Sequence, residues 1–187
     1  MIIRSATPKD AARLLEIYSW YVEHTAVSFE YVTPSPEAFE KRISGTLERF
    51  PYLVLEEDNR IQGYAYAGPF QSRAAYSHCC ELSIYLDRGA RGRGYGRKLY
   101  EALEAGLREA GFLNLYACIA DPDAEDEYLT HDSEQFHRHM GFTKIGTFRQ
   151  CGRKFGRWYN MIYMEKIIGK HDRSDSLIVS KEEEITD

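Results

Sequence analysis

Residues 88 to 97 read Arg-Gly-Ala-Arg-Gly-Arg-Gly-Tyr-Gly-Arg, with a strand-like alternation before them and a helix-like period after them. A stretch holding Gly89, Gly92, Gly94 and Gly96 offers no apolar face, so it is a loop held in place by its neighbours. Ahead of it, Glu81, Ser83 and Tyr85 alternate with Leu82, Ile84 and Leu86, the period of a strand from about Cys80 to Leu86 with two unlike faces. Behind it, Leu99, Leu103, Leu107 and Ala110 recur at helical spacing over about Tyr95 to Ala110, and Gly111 stops the run. Strand, glycine-rich turn and helix in that order commit the chain to a sheet with a helix packed against it.

The same corner is suited to an anion. Successive backbone N–H groups and a helix N-terminus favour phosphate, glycines let it approach closely, and arginines add charge-assisted contacts. Arg88, Arg91, Arg93, Arg97 and Lys98 gather five positive charges with no acid among them, in a chain of net charge −5. That balance argues against a general nucleic-acid binder and for a small anionic ligand. Two common nucleotide loops are excluded. Gly89 and Gly94 have the gap of a Walker loop, but Tyr95 stands where lysine is required. A dinucleotide fingerprint begun at Gly92 or Gly94 needs glycine or alanine at 97 or 99, where Arg97 and Leu99 stand. The spacing left is Arg91-x-x-Gly94-x-Gly96.

Elsewhere Ile2 to Ala6 reads as a strand, and Thr7-Pro8-Lys9-Asp10 as the start of a helix whose buried face is Ala11, Leu14, Leu15, Tyr18 and Val22. Ser35-Pro36 opens a second helix with Phe39, Ile43 and Leu47 on one side. Tyr52–Glu57 and Ile61–Gly68 flank Asp58-Asn59-Arg60, a hairpin signal. Leu113–Ile119 is a strand, Ser133–Met140 a short helix ended by Gly141, and Phe142–Arg149 and Phe155–Lys166 are the last strands. The order is that of an α+β domain, with one mixed sheet of about seven strands flanked by about four helices.

Length and composition set the frame: 187 residues, 43% hydrophobic, fit one domain over residues 1–168. Residues 169–187 contribute −3 of the net charge and read as a polar tail whose one apolar cluster is Leu177-Ile178-Val179. No run approaches the ~20 apolar residues of a membrane span, and no signal-peptide pattern opens the chain, so a cytoplasmic location is expected. Cys79, Cys80, Cys118 and Cys151 are too irregular for a disulfide framework or a zinc site; reduced thiols and no metal are expected.

Arg91-x-x-Gly94-x-Gly96 at a strand-to-helix junction resembles the pyrophosphate loop of the GNAT acetyltransferases, and the element order matches that scheme over residues 2 to 166. Arg73-Ala74-Ala75-Tyr76, Glu81 to Leu86, Phe136-His137 before Met140-Gly141-Phe142, and Gly152 to Trp158 look like the phosphinothricin and methionine sulfone acetyltransferase branch. Ala26-Val27-Ser28-Phe29-Glu30 resembles that branch's substrate loop. The resemblance implies acetyl-CoA as cosubstrate, transfer to the amino group of a small amino-acid-like acceptor, and a homodimer. It implies that Glu81 is the general base and that Ile84, Tyr85 and Leu86 give backbone groups to the pantetheine arm. Arg91, Gly92, Arg93, Gly94, Tyr95, Gly96 and Arg97 would hold the pyrophosphate, and Phe29, Arg73 and Tyr76 the acceptor. His137 is either functional, as a proton donor to the leaving thiolate or a substrate contact, or a packed helix residue.

The chain departs from the branch between Ile119 and Ser133, where a long acidic segment replaces a short one that usually carries a coenzyme-contacting asparagine; Thr130 and Asp132 stand nearest. An acidic lid there would favour amines or zwitterions. A protein or peptide acetyltransferase and a non-catalytic coenzyme-A sensor are the other readings.

Overall fold

The computed structural model describes residues 1–172. The expectations for the tail fall, from Arg173 onward, outside the described residues. The elements are β1 Ile2–Ser5, α1 Ala11–His24, α2 Pro36–Leu47, β2 Tyr52–Glu57, β3 Arg60–Pro69, β4 Cys79–Leu86, α3 Tyr95–Glu109, β5 Asn114–Asp121, α4 Asp132–His139, β6 Thr143–Lys154 and β7 Arg157–Ile167. Seven strands form one sheet in the order β1-β2-β3-β4-β5-β7-β6. Only β4 and β5 run parallel, joined across the sheet face by α3.

Local chemistry places most of these boundaries. Ser35 accepts a hydrogen bond from the Ala38 N–H at 3.2 Å and starts α2. Asp58 and Asn59 take φ of 53° and 57°, the left-handed pair that lets two residues reverse β2 into β3. Gly111 and Gly141, both at φ 87°, stop α3 and α4. Most boundaries shift by one or two residues from the sequence reading, and three differences have a visible cause or consequence. A 3₁₀ turn occupies Pro8–Asp10, and α1 begins at Ala11, three residues after Pro8, because the Asp10 carboxylate turns back to accept from the Thr7 N–H at 2.8 Å and to pair with Arg4. Ala110 is exposed and caps α3, and Tyr100 takes a place in the buried stripe. β6 continues past Arg149 to Lys154, through a register irregularity between Phe148 and Gly152.

Each face of the sheet has its own core. Leu99, Tyr100, Leu103 and Leu107 of α3, all fully buried, cover Leu55, Ala65, Leu82 and Leu115 on one face. Each such side chain is worth about 1.5–3 kcal/mol of burial. On the other face Leu14, Tyr18 and Val22 of α1, with Phe39 and Ile43 of α2, cover Val54, Tyr64 and Tyr85. Among the described residues no helix is long and apolar enough to cross a membrane.

One junction is incomplete by construction. β4 and β5 pair only through Cys79↔Asn114, Cys80↔Leu115 and Glu81↔Tyr116, and beyond Glu81 they diverge. The Asp87 N–H donates to the Gln62 carbonyl at 2.8 Å, which sets the phase of the β3–β4 ladder. Glu81, Ser83 and Tyr85 therefore bond to β3, whereas Leu82, Ile84 and Leu86 turn their backbone groups toward the opening.

Gly63 lies opposite Leu86 with no room for a side chain: a Cβ there would sit 2.4 Å from Leu86 Cδ2 and 2.9 Å from the Tyr85 carbonyl oxygen. Gly63→Ala is expected to lower unfolding free energy by about 1–3 kcal/mol, as overpacking against backbone does, read by urea denaturation.

Candidate active site

Asp87 begins the loop by accepting from the Gly89 N–H at 2.9 Å, and Arg13 of α1 ties that carboxylate to the Ile61 carbonyl. The chain then passes through Gly92 and Gly94 at φ of 74° and 76°, a region that side chains with a Cβ rarely enter. Gly94 is the N-cap of α3. The N–H groups of Gly94, Tyr95, Gly96 and Arg97 find no acceptor among the described residues and line a cavity of about 500 Å³. Ile84, Leu86, Thr130, Asp132, Ser133 and Phe136 form its other walls. Four adjacent unpaired donors at a helix N-terminus fit a diphosphate. Gly96 sits where a Cβ would come within 3.1 Å of the Phe136 ring, so glycine is what lets α4 close against the loop.

The loop side chains are less free than the sequence suggested. Arg91 lies 3.8 Å from Asp132 and over the rings of Trp20 and Tyr21, each at 5.9 Å. Arg93 lies 3.5 Å from Glu57. The Tyr95 ring is buried and its hydroxyl donates to Glu57, so this residue faces the cavity through its backbone. Arg97 is exposed. Ile84 and Leu86 present backbone groups to the β4–β5 opening, although the Leu86 carbonyl already accepts from the Tyr21 hydroxyl at 2.7 Å. Tyr85 does not: its backbone pairs with Tyr64 of β3 and its ring joins the opposite core.

Between the diverging strands lies a cleft of about 60 Å³ walled by Leu82, Ile84, Ala117, Ile119, Tyr100, His137 and Val27. Glu81 stands where the ladder ends. Burial pushes its carboxyl above the usual range, partly offset by the Tyr163 hydroxyl, which donates to it at 3.3 Å. Burial and the Glu81 charge in turn push Tyr163 up to about 12. A half-buried glutamate of raised pKa is a poised proton acceptor.

For His137 the geometry supports packing. The ring is 3% exposed, Nδ1 meets the Ser133 carbonyl at 2.7 Å and Nε2 the Tyr100 hydroxyl at 2.8 Å. Because a carbonyl only accepts, Nδ1 carries the proton and Nε2 accepts from Tyr100. Burial drives the pKa to about 4, so the ring is neutral at neutral pH and its one proton is held on Nδ1 by the Ser133 carbonyl. His139, two residues on, is exposed.

Phe29, Arg73 and Tyr76 are not brought together. The Phe29 ring packs on Gly152 of β6 and lines neither the loop cavity nor the cleft. Arg73 and Tyr76 are exposed at a separate hollow with Arg49 and Phe112; Tyr76 touches Phe70 at 5.8 Å, and Phe70 reaches Tyr163 at 6.1 Å. The sequence reading missed a pocket of about 450 Å³ on the Glu81 face, under α2, walled by Tyr18, Phe39, Arg42, Tyr52, Tyr64, Tyr66 and Tyr85. Tyr64 and Tyr52 are 1% and 3% exposed, yet their hydroxyls have no partner among the described residues. The signal was present as tyrosines two apart at 64 and 66, facing Tyr52 and Tyr85 across the strands.

The acidic segment is not the bare lid its composition suggested. Asp126 accepts from the N–H groups of Tyr128 and Leu129, from Tyr159 and from Arg157; Glu127 pairs with Arg157 and Asp123 accepts from Asn160. Its acids tie the segment to β7. Asp121, His131 and Glu134 also converge, with ligand atoms within 4.8 Å, but Lys144 at 3.3 Å from Asp121 and Arg138 at 2.8 Å from Glu134 supply the countercharge. Thr130 and Asp132 do reach the loop cavity.

A mixed sheet that parts beside a glycine-rich corner of unpaired N–H groups is the plan of the GNAT acetyltransferases. A family model described as acetyltransferase (GNAT) domain matches residues 3–163, and the chain belongs to that family: it is an N-acetyltransferase that uses acetyl-CoA. It is 32% identical over 180 residues to the L-methionine sulfoximine/L-methionine sulfone acetyltransferase of Salmonella typhimurium, covering 94% of this chain and 99% of that one. Among solved structures, a GNAT superfamily phosphinothricin acetyltransferase from Sinorhizobium meliloti in complex with acetyl-CoA superposes with TM-score 0.84, at 31% identity over 96% of this chain and 98% of that one. A ribosomal-protein-alanine N-acetyltransferase from Brucella melitensis gives TM-score 0.82 at 35% identity, over 90% and 100%.

Replacing His137 by leucine strands the Tyr100 hydroxyl in the core. The variant is expected to lose about 1–3 kcal/mol of stability, by thermal or urea unfolding, while keeping turnover within about tenfold of the parent.

Proposed function

We propose that the protein acetylates the amino group of a small amino-acid-like acceptor of the methionine sulfone, methionine sulfoximine or phosphinothricin kind, by direct attack with Glu81 as general base. The observation that carries this reading is the position of Glu81, half-buried and raised in pKa, at the residue where the β4–β5 ladder ends. Neighbouring Leu82, Ile84 and Leu86 turn backbone donors into the opening, and the four free N–H groups of the loop lie at its far end. An acceptor amine has a pKa near ~8 and must shed a proton before attack. Glu81, directly or through one water, takes that proton. A backbone N–H of β4 in the cleft stabilises the oxyanion as the thioester carbonyl is attacked. After attack the nitrogen carries two protons; one goes to the departing thiolate and the other stays on the amide, so no separate acid is needed and the neutral His137 is no obstacle.

The tyrosine-walled pocket beside Glu81 is the place for the acceptor's side chain, with Arg42 of α2 at its rim for an anionic end. A tyrosine-walled pocket of that size favours a small molecule over a protein tail. The relatives at 30% identity or more named for small amino-acid-like acceptors support the same choice. With this reading go a cytoplasmic location and a homodimer. The dimer is supported by Ile145, Phe148 and Trp158, large apolar side chains of the β6–β7 hairpin left more than half exposed.

Glu81→Gln is expected to lower kcat/KM for methionine sulfone by about a hundredfold or more in a thiol-release assay, with acetyl-CoA affinity kept. The sign of the pH dependence follows from the raised pKa. The base form accumulates as pH rises through a value above the ordinary glutamate range, so the parent's kcat/KM climbs over that interval and levels off. The glutamine variant loses that limb. An unchanged rate in Glu81→Gln contradicts the assignment.

A further inference from the structure

The loop joining α1 to α2 touches the reaction centre on one side and the end of β6 on the other. Toward the centre, Val27 lines both the cleft and the coenzyme cavity. The Ser28 hydroxyl bonds to Tyr18 of the tyrosine pocket at 2.9 Å, and Glu30 pairs with Arg42 at 2.8 Å. Toward β6, Lys154 donates to the Ser28 carbonyl at 2.6 Å, the Tyr31 hydroxyl donates to the Arg153 carbonyl, and the Phe29 ring lies on Gly152. The fit over Gly152 is close: a Cβ there would fall 2.3 Å from Phe29 Cε2. Residues 152 and 154 project from the same side of the strand, and the turn beyond them is held by Phe155 at φ 50° and Gly156 at φ 78°.

Lys154 is an unusual choice for such a place. It is 3% exposed, and burial lowers its pKa, countered in part by Glu30. An ammonium carries three donors, and the Ser28 carbonyl is the one acceptor it meets among the described residues. A methionine would fill the same space without the desolvation cost of a buried charge. What methionine lacks is a donor for the loop's carbonyl.

We propose that Lys154, with Gly152 under Phe29, is a positioning residue for acyl transfer: it clamps residues 26–31 so that Val27, Ser28 and Glu30 hold the walls of the acceptor pocket. The inference rests on the acetyltransferase reading above. Phe29, implied by resemblance to touch the acceptor, acts instead through its seat on β6, and the pocket's shape depends on a strand on the far side of the loop.

The test is steady-state thiol release with methionine sulfone by Lys154→Met, Lys154→Arg and Gly152→Ala, together with calorimetric titration of acetyl-CoA. Losing one charge-assisted hydrogen bond is expected to raise acceptor KM about tenfold in Lys154→Met, with coenzyme affinity within about twofold. Lys154→Arg, which keeps a donor, recovers part of the loss. Gly152→Ala drives a methyl group into the Phe29 ring and raises acceptor KM as well; in a Phe29→Ala background the same methyl has room and adds nothing. If Lys154→Met fails to fold, Gly152→Ala with and without Phe29→Ala decides. Acceptor KM unchanged in the folded variants of an active enzyme overturns the clamp and leaves the acetyltransferase reading intact. A parent protein that binds acetyl-CoA but releases no thiol with any amine overturns the reading beneath it.

Discussion

The early end of the β4–β5 ladder is the constraint on which the rest depends. Two parallel strands that pair for three residues and then part leave backbone donors and acceptors unmatched in the middle of a sheet, a costly condition unless something else engages them. The ladder phase assigns those free groups to Leu82, Ile84 and Leu86. Tyr21 answers one of them from the α1 side. The remainder face a cleft that opens toward the glycine corner, where four more N–H groups find no acceptor among the described residues. The two sets of unmet donors share one groove, which is why a single extended ligand, anionic at one end and carrying an amide-rich arm, suits both.

Electrostatics sort the ionisable groups near that groove into two kinds. Glu81 is half-buried with one weak hydroxyl partner, so burial outweighs stabilisation and its carboxyl titrates high. His137 is buried with both nitrogens engaged, so burial drives its pKa the other way, and the imidazole becomes a neutral brace between α4 and Tyr100. The same physical cause raises one pKa and lowers the other, because desolvation always disfavours the charged form and the two charged forms have opposite sign.

Much of this was legible in the residues. The loop was, because glycine enters the φ of Gly92 and Gly94 far more readily than residues with a Cβ, and because a run of arginines in an acidic chain needs a reason. The β2–β3 hairpin and α3 were too, since turn chemistry and periodicity are local. What failed to show depends on contacts far apart in sequence. Tyr100 replaces Ala110 in the buried stripe because α4 brings Phe136, His137 and Phe142 against it. The acids of the 121–132 segment looked like a charged lid until Arg157, Asn160 and Tyr159 of β7 were found beside them. Ser28 and Lys154, 126 positions apart, meet only because β6 runs on through its irregular stretch; periodicity ends that strand at Arg149 and so hides the pairing.

The central claim is that one ligand spans the corner and the cleft. Titrating isotopically labelled protein with acetyl-CoA, and following backbone amide resonances, tests it directly. The largest shifts are expected at Gly92 to Arg97 together with Ile84 and Leu86, saturating as one set with a single affinity. Shifts that cluster elsewhere, or that move the loop while leaving β4 unchanged, would contradict it.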